Sequence, residues 1–284
     1  MTELIERSFQ LTVSGAKIRG DIRWKNRGNA TSALPLLIVC HGFKAFKDWG
    51  PFPAIGRFFA EHGFVSIVFN FSHNGVGDEP KKFSEREKFS VNTISRELED
   101  VDAILNAIVE NHFSDVPVDR SKIGIIGHSR GGGVAIIKAK EDERIKAVSG
   151  WSTISHFDRY SEEQKQRWRE KGYVELPSMN ALSIFRMTTA FLDDLDNNAE
   201  RFDILNAVEQ LHKPFLIIQG TADMAVPIRE AEALYDASDK SQAEIIFLEG
   251  SGHMYGARHP YKKESPNMTR VLELTSTWFH KNLS

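Results

Sequence analysis

The chain has 284 residues, 41% of them hydrophobic and 26% charged, with a formal net charge of −3 at pH 7. A chain of this length buries roughly three quarters of its unfolded surface and needs no disulfide or metal to hold its core. The small negative charge gives no electrostatic case for nucleic acid or an anionic membrane, and the single cysteine, Cys40, excludes an intrachain disulfide and a cysteine metal site.

Residues 7–13 and 17–24 alternate in polarity around Ser14-Gly15, the pattern of an antiparallel hairpin. An apolar run over 36–40 predicts a buried strand, followed directly by His41-Gly42-Phe43. A helix is predicted over 52–62 with Gly63 as its stop, then a buried strand over 64–69 and a polar loop over 72–92. The next helix, 93–111, carries Leu98, Val101, Ile104, Leu105 and Ile108 on one face. Strand 122–126 leads into Gly127-His128-Ser129-Arg130-Gly131, with a helix over 130–140 and a strand over 145–150 after it. Residues 151–206 break the alternation: no strand is evident, 161–171 is a charged helix and 181–195 a more apolar segment. Strands over 214–220 and 243–248 and a helix over 266–282 complete the chain. Alternating strands and helices imply a mostly parallel α/β sheet with both faces covered. The expected organisation is one core, 1–150 with 207–284, interrupted by a helical lid at 151–206. No linker, repeat or low-complexity tract divides it further.

Gly127-His-Ser-Arg-Gly131 is G-x-S-x-G set between a strand and a helix. In that setting the pattern is a nucleophile elbow, a sharp turn that lifts a serine hydroxyl above a sheet edge. A serine at its free pKa is a poor nucleophile and needs a base, an acid to orient the base, and donors for the oxyanion. The parts follow in the chain order serine, acid, histidine. Asp223 stands just past strand 214–220 in Gly220-Thr-Ala-Asp223, within Gly-x-x-Asp-x-x-Val-Pro. Its plainer reading is a turn or cap aspartate. His253 lies on the glycine-rich loop after strand 243–248, where the base belongs. The rival His259 precedes a proline, which suits a turn, and His62, His112 and His280 follow no late strand. The backbone N–H groups of Arg130, next to the serine, and of Phe43, on the loop after strand 36–40, are the expected oxyanion donors.

Together His41-Gly42-Phe43, Gly127-His-Ser-Arg-Gly131, Gly220-Thr-Ala-Asp223 and Gly252-His253 resemble the α/β-hydrolase superfamily over nearly the whole chain. Within it the chain resembles bacterial dienelactone-hydrolase-like and cinnamoyl (feruloyl) esterase-like hydrolases, notably in the stretch 41–50. The resemblance implies an α/β-hydrolase fold and acyl transfer with no cofactor. Dienelactone hydrolases proper use a cysteine, whereas this chain has Ser129, which favours ordinary ester or amide chemistry over dienelactone.

The lid would lie over the serine and supply pocket walls. Candidates are Trp151, Phe157, Trp168, Met179, Phe185, Met187 and Phe191, although most such residues would form the lid's own core. Met254 and Tyr255 adjoin His253 and are better placed for the pocket. Lys44 and Lys47 follow the oxyanion loop and would either meet an anionic substrate group or sit in solvent. The expected partner is a small-molecule ester with an aromatic or medium acyl part, not nucleic acid or membrane, and a homodimer is left open. Residues 1–7 lack a basic region followed by an apolar one, so a cytoplasmic location is expected, and the glycosylation patterns at Asn29 and Asn267 read as chance. The same machinery serves peptidases, amidases and acyl-CoA thioesterases or acyltransferases. A non-catalytic binding protein would not need all four motifs.

Overall fold

The computed structural model describes residues 3–26, 33–80, 82–177 and 184–283. Strands β1 (Leu4–Val13) and β2 (Ala16–Lys25) pair antiparallel, with Val13 opposite Ala16. Ser14 and Gly15 close the hairpin at φ 46° and 76°. Two positive φ values in a two-residue loop match the twist of the strands they join.

From there the chain alternates. In order come β3 (Leu34–Cys40), α1 (Phe52–Glu61), β4 (Val65–Asn70), α2 (Arg86–Ser90), α3 (Ile94–Val109), β5 (Val118–His128), α4 (Arg130–Glu141) and β6 (Ile145–Trp151). Next are α5 (Glu162–Lys171), β7 (Tyr173–Pro177), β8 (Ile184–Thr188), α6 (Ala190–Asn197) and α7 (Ile204–Glu209). Then follow β9 (Phe215–Gly220), α8 (Ile228–Ala237), β10 (Ala243–Leu248) and α9 (Pro266–Asn282). The large sheet has the order β1-β2-β4-β3-β5-β6-β9-β10. β2 runs antiparallel to β1 and β4, and the remaining pairs are parallel.

Side chains of successive strand residues point to opposite faces, which gives the sheet two cores. Leu36, Ile38 and Cys40 pack with α3, α4 and α8, whereas Leu37 and Val39 pack with α1 and α9. The parallel registers align the carboxyl ends of the strands. Cys40 lies opposite Gly127, His128 opposite Trp151, Trp151 opposite Ile218 and Leu248 opposite Gly220. The loops after β3, β5, β9 and β10 therefore leave from one edge, the place where open α/β sheets bind ligands.

The segment between β6 and β9 differs from expectation. It holds a two-stranded antiparallel sheet, β7 with β8, beside the helices. Each strand has only five residues, and each interrupts its apolar positions with a charge, Glu175 and Arg186, which face each other across the pair. Strands that short give no sustained alternation to read. The expected apolar stretch 181–195 is divided between β8 and α6, and Met179, Asn29 and residues 181–183 lie outside the described residues. The loop over 72–92 also contains one short helix, α2.

Candidate active site

Ser129 stands between β5 and α4 at φ 56°, ψ −121°, a conformation that non-glycine residues rarely hold. Such strain persists only where the surroundings enforce it. Here they do. A Cβ on Gly127 would lie 2.2 Å from the Gly131 carbonyl oxygen, and one on Gly131 would lie 2.4 Å from that of His41. The two glycines of the motif are thus a packing requirement: the turn closes only if strand, helix and the loop after β3 all touch.

Asp223 sits past β9 with its carboxylate fully buried and satisfied. Oδ2 accepts the Nδ1–H of His253 at 2.8 Å, and Oδ1 accepts the backbone N–H groups of Ala225 and Val226 at 2.8 and 2.9 Å. Burial pushes this carboxyl up, but the His253 hydrogen bond and the two amides outweigh it and bring the pKa down to about 2. The group is an anion, fixed in place, that holds the imidazole through Nδ1 and turns Nε2 away from the carboxylate. His259 is elsewhere: it accepts the Gly50 N–H at 2.9 Å and stacks on Trp49.

Two further histidines join the parts. His128, beside the serine, donates from Nε2 to the His253 carbonyl at 2.9 Å, with the two rings 4.6 Å apart. Burial and the neighbouring His253 lower its pKa to about 3, so it is a neutral strut. His41 donates from Nδ1 to the Gly42 carbonyl at 2.9 Å, and its Nε2 lies 3.4 Å from the Phe71 N–H and the Asn74 amide. Burial lowers its pKa to about 4, so it too is neutral. The Gly42 carbonyl also accepts from the Ala45 N–H at 3.2 Å. In a trans peptide the next N–H, that of Phe43, points the opposite way. A Cβ on Gly42 would be 3.1 Å from the Ser129 Cβ, so this loop lies against the elbow. Arg130 opens α4, where the first-turn N–H groups have no partner within the helix.

The Arg130 side chain has a place that sequence reasoning missed. Its guanidinium lies 4.1 Å over the Phe43 ring and 6.0 Å from that of Phe191 in α6, and it pairs with the buried Glu97 of α3. Glu97 also accepts from Asn92 at 2.8 Å. One turn on, the buried Asp100 accepts the Ser72 N–H at 2.7 Å. The available signal was two acids inside the apolar stripe of α3, where Ile94, Val101 and Ile104 are buried.

Two pocket assignments are corrected. Trp151 packs on the α1/α9 side of the sheet and donates from Nε1 to Thr275 at 3.1 Å. Tyr255 is fully buried, its hydroxyl donating to the Ile218 carbonyl at 2.8 Å and lying 3.1 Å from Ser152. Both brace the sheet edge from beneath, because a large aromatic beside a strand end is first a core residue. Met254 is half-buried against the same core. Trp168, Phe185, Met187 and Phe191 are buried within the segment between β6 and β9, and Phe157 packs against Phe202 and the position of Gly133. Among the described residues no three His, Cys, Asp or Glu side chains cluster as metal ligands, and no helix is long and apolar enough to cross a membrane.

Sheet order, elbow and strand-end loops define an α/β hydrolase, and solved structures of that class superpose along almost the full chain. Est1E from Butyrivibrio proteoclasticus gives a TM-score of 0.68 at 17% identity, covering 97% of this chain and 98% of its own. Its complex with ferulic acid gives 0.70 at 19%, covering 96% and 98%. Dienelactone hydrolase from Anabaena variabilis gives 0.65 at 16%, covering 99% of each chain. The family model of the prolyl oligopeptidase family matches residues 52–283, and the chain belongs to that family of hydrolases. It is also 24% identical to the monoglyceride lipase of Rattus norvegicus over 90% of this chain and 84% of the relative.

Proposed function

We propose that the protein is a serine hydrolase that cleaves carboxylic esters through an acyl-enzyme. The observation that carries this reading is the 2.8 Å bond between His253 Nδ1 and the buried Asp223, with the His253 carbonyl held by His128 next to the strained Ser129. His253 takes the Ser129 proton at Nε2 as Oγ attacks the ester carbonyl. The tetrahedral oxyanion is held by the N–H groups of Phe43 and Arg130. His253 then protonates the departing alkoxide. Water, deprotonated by the same imidazole, attacks the acyl-serine and releases the acid. Asp223 holds the tautomer and stabilises the imidazolium without taking its proton. No cofactor enters these steps.

Ester substrates are favoured by the likeness to a monoglyceride lipase and to a structure holding ferulic acid. The family match favours a second reading, peptide or amide cleavage with the same groups. The test is labelling of Ser129 by a fluorophosphonate, followed by rates on 4-nitrophenyl acetate through octanoate, an aryl acrylate ester and an aminoacyl anilide. Ester rates far above anilide rates support the esterase. Comparable rates support the peptidase. Absence of labelling together with background rates on all of them would reject serine acyl chemistry.

A further inference from the structure

Lys44 follows Phe43 on the oxyanion loop, at φ 59° in the left-handed region. Its stem crosses to the segment between β6 and β9, where Nζ donates to the Pro177 carbonyl at 3.1 Å, 5.7 Å from the centre of the Phe43 ring. That contact uses one of three ammonium N–H groups. Neither contact neutralises the charge.

The other lysines mark the difference. Lys47, three residues on, has Asp21 at 2.8 Å and Asp48 at 3.0 Å. The buried Lys138 has Asp102 at 2.8 Å and Glu141 at 3.3 Å. Among the described residues two lysines are desolvated enough to lower the pKa of the ammonium, Lys44 and Lys213. Lys213 has Glu143 at 3.6 Å and the carbonyls of Ala139 and Asp142. For Lys44 burial is the sole cause, and no carboxylate acts against it. Residues 178–183, which follow Pro177, contain no acid in their sequence. A partly dehydrated cation without a counter-charge is unfavourable in the free protein and is relieved by an anion brought by a ligand.

We propose that Lys44 is a substrate-recognition residue, and that the preferred substrate is an ester carrying a carboxylate a few atoms from the scissile bond. The proposal rests on the esterase reading and names its substrate class. The carboxylate stays unchanged in the reaction: water cleaves the ester, and a dicarboxylate and an alcohol leave. A charge-assisted hydrogen bond of this kind is worth roughly tenfold or more in kcat/KM.

The test compares mono-(4-nitrophenyl) glutarate with its neutral methyl ester on wild type, Lys44→Met and Lys44→Arg, with folding checked by circular dichroism. Wild type is expected to favour the anion by about tenfold or more, Lys44→Met to lose that preference, Lys44→Arg to keep part of it, and added salt to weaken it. A wild-type ratio at or below one, or a ratio unchanged in Lys44→Met, overturns the proposal and leaves Lys44 as a strap between two loops. If wild type cleaves neither ester and Ser129 is not labelled, the esterase reading fails by itself. Glutarate binding by calorimetry then decides: binding that Lys44→Met loses retains the anion site, and no binding to wild type rejects it.

Discussion

The sheet edge that carries Ser129, Asp223 and His253 and the segment between β6 and β9 are built from different forces. At the edge nearly every group is buried and has a partner of fixed geometry. Asp223 has its imidazole and two amides, His128 its carbonyl, His41 a donor and an acceptor side, and the elbow glycines leave no room for a methyl group. The segment between β6 and β9 has a thin aromatic centre, Trp168 stacked on Phe191 and met edge-on by Tyr160, inside a shell of exposed ion pairs such as Arg169 with Asp193 and Asp196. Exposed pairs contribute little each, and sparse apolar contact lowers local stability. The proposed chemistry thus sits on the part whose groups are held by buried hydrogen bonds, not on the part held by exposed ion pairs.

The largest blow to that comparison falls on the rigid side. Ser129→Ala is expected to lower kcat by about four or more orders of magnitude in the ester assay, with folding intact. Because the native φ of 56° costs an ordinary side chain on the order of 1 kcal/mol, Ser129→Gly should be inactive yet more stable to urea. A Ser129→Gly protein less stable than wild type would mean that the turn is unstrained. Asp223→Asn comes next, at about three to four orders of magnitude in kcat, because the amide selects the wrong imidazole tautomer. A loss below tenfold would show that His128 and the loop backbone orient His253 without it.

Arg130 joins the two regions, and its removal tests whether they act together. Its guanidinium touches Phe43 of the loop after β3, Phe191 of α6 and Glu97 of α3. Arg130→Met keeps the backbone N–H and the apolar stem and removes the charge. It is expected to lower kcat by about ten- to a hundredfold through a looser Phe43 N–H, with Glu97→Gln lowering it less. A change in KM alone would make Arg130 part of substrate binding and not a positioning residue.

The same contrast decides what could be read from the sequence. Strands 36–40, 122–126 and 214–220 are apolar runs whose one charge, Lys122, stands at an amino end, and their counterparts β3, β5 and β9 differ mainly at the amino ends. Ser129, Asp223 and His253 each follow such a strand, so chain order alone suggested them. β7 and β8 are short and carry charges, and their stability comes from packing of Phe185 on Phe83 and Phe89, residues about a hundred positions away. No local pattern encodes that contact. For the same reason Trp151 and Tyr255 were misassigned: adjacency in sequence to a site residue does not say on which face of the sheet a side chain falls. The Arg130 contacts with Glu97 and Phe191 are likewise long-range, and only the acids within the α3 stripe hinted at them.

The smallest expected effect concerns two buried aspartates displaced in opposite directions. Burial, reinforced by the nearby Glu97 and only partly offset by Ser72, raises the Asp100 carboxyl from 3.8 to about 7. Between those values the folded chain holds a proton that the unfolded chain has released, so stability falls as the pH rises from about 4 to about 7. Asp223 has the reverse sign: its pKa of about 2 gives stability that is present above its ordinary 3.8 and is lost as pH falls through about 2. Asp223 is silent between pH 5 and pH 8, but the buried neutral His41 and His128 contribute there with the opposite sign to Asp100. Asp100 is therefore isolated by the difference between wild type and Asp100→Asn in urea unfolding at those two pH values. Asp100→Asn keeps an oxygen for the Ser72 N–H and removes the titration. It should raise stability at pH 8 relative to pH 5, compared with wild type, by on the order of 1 kcal/mol, with little change in kcat at pH 6. The same pH dependence in both proteins would mean that Asp100 is already ionised at pH 5, held by donors stronger than the Ser72 amide.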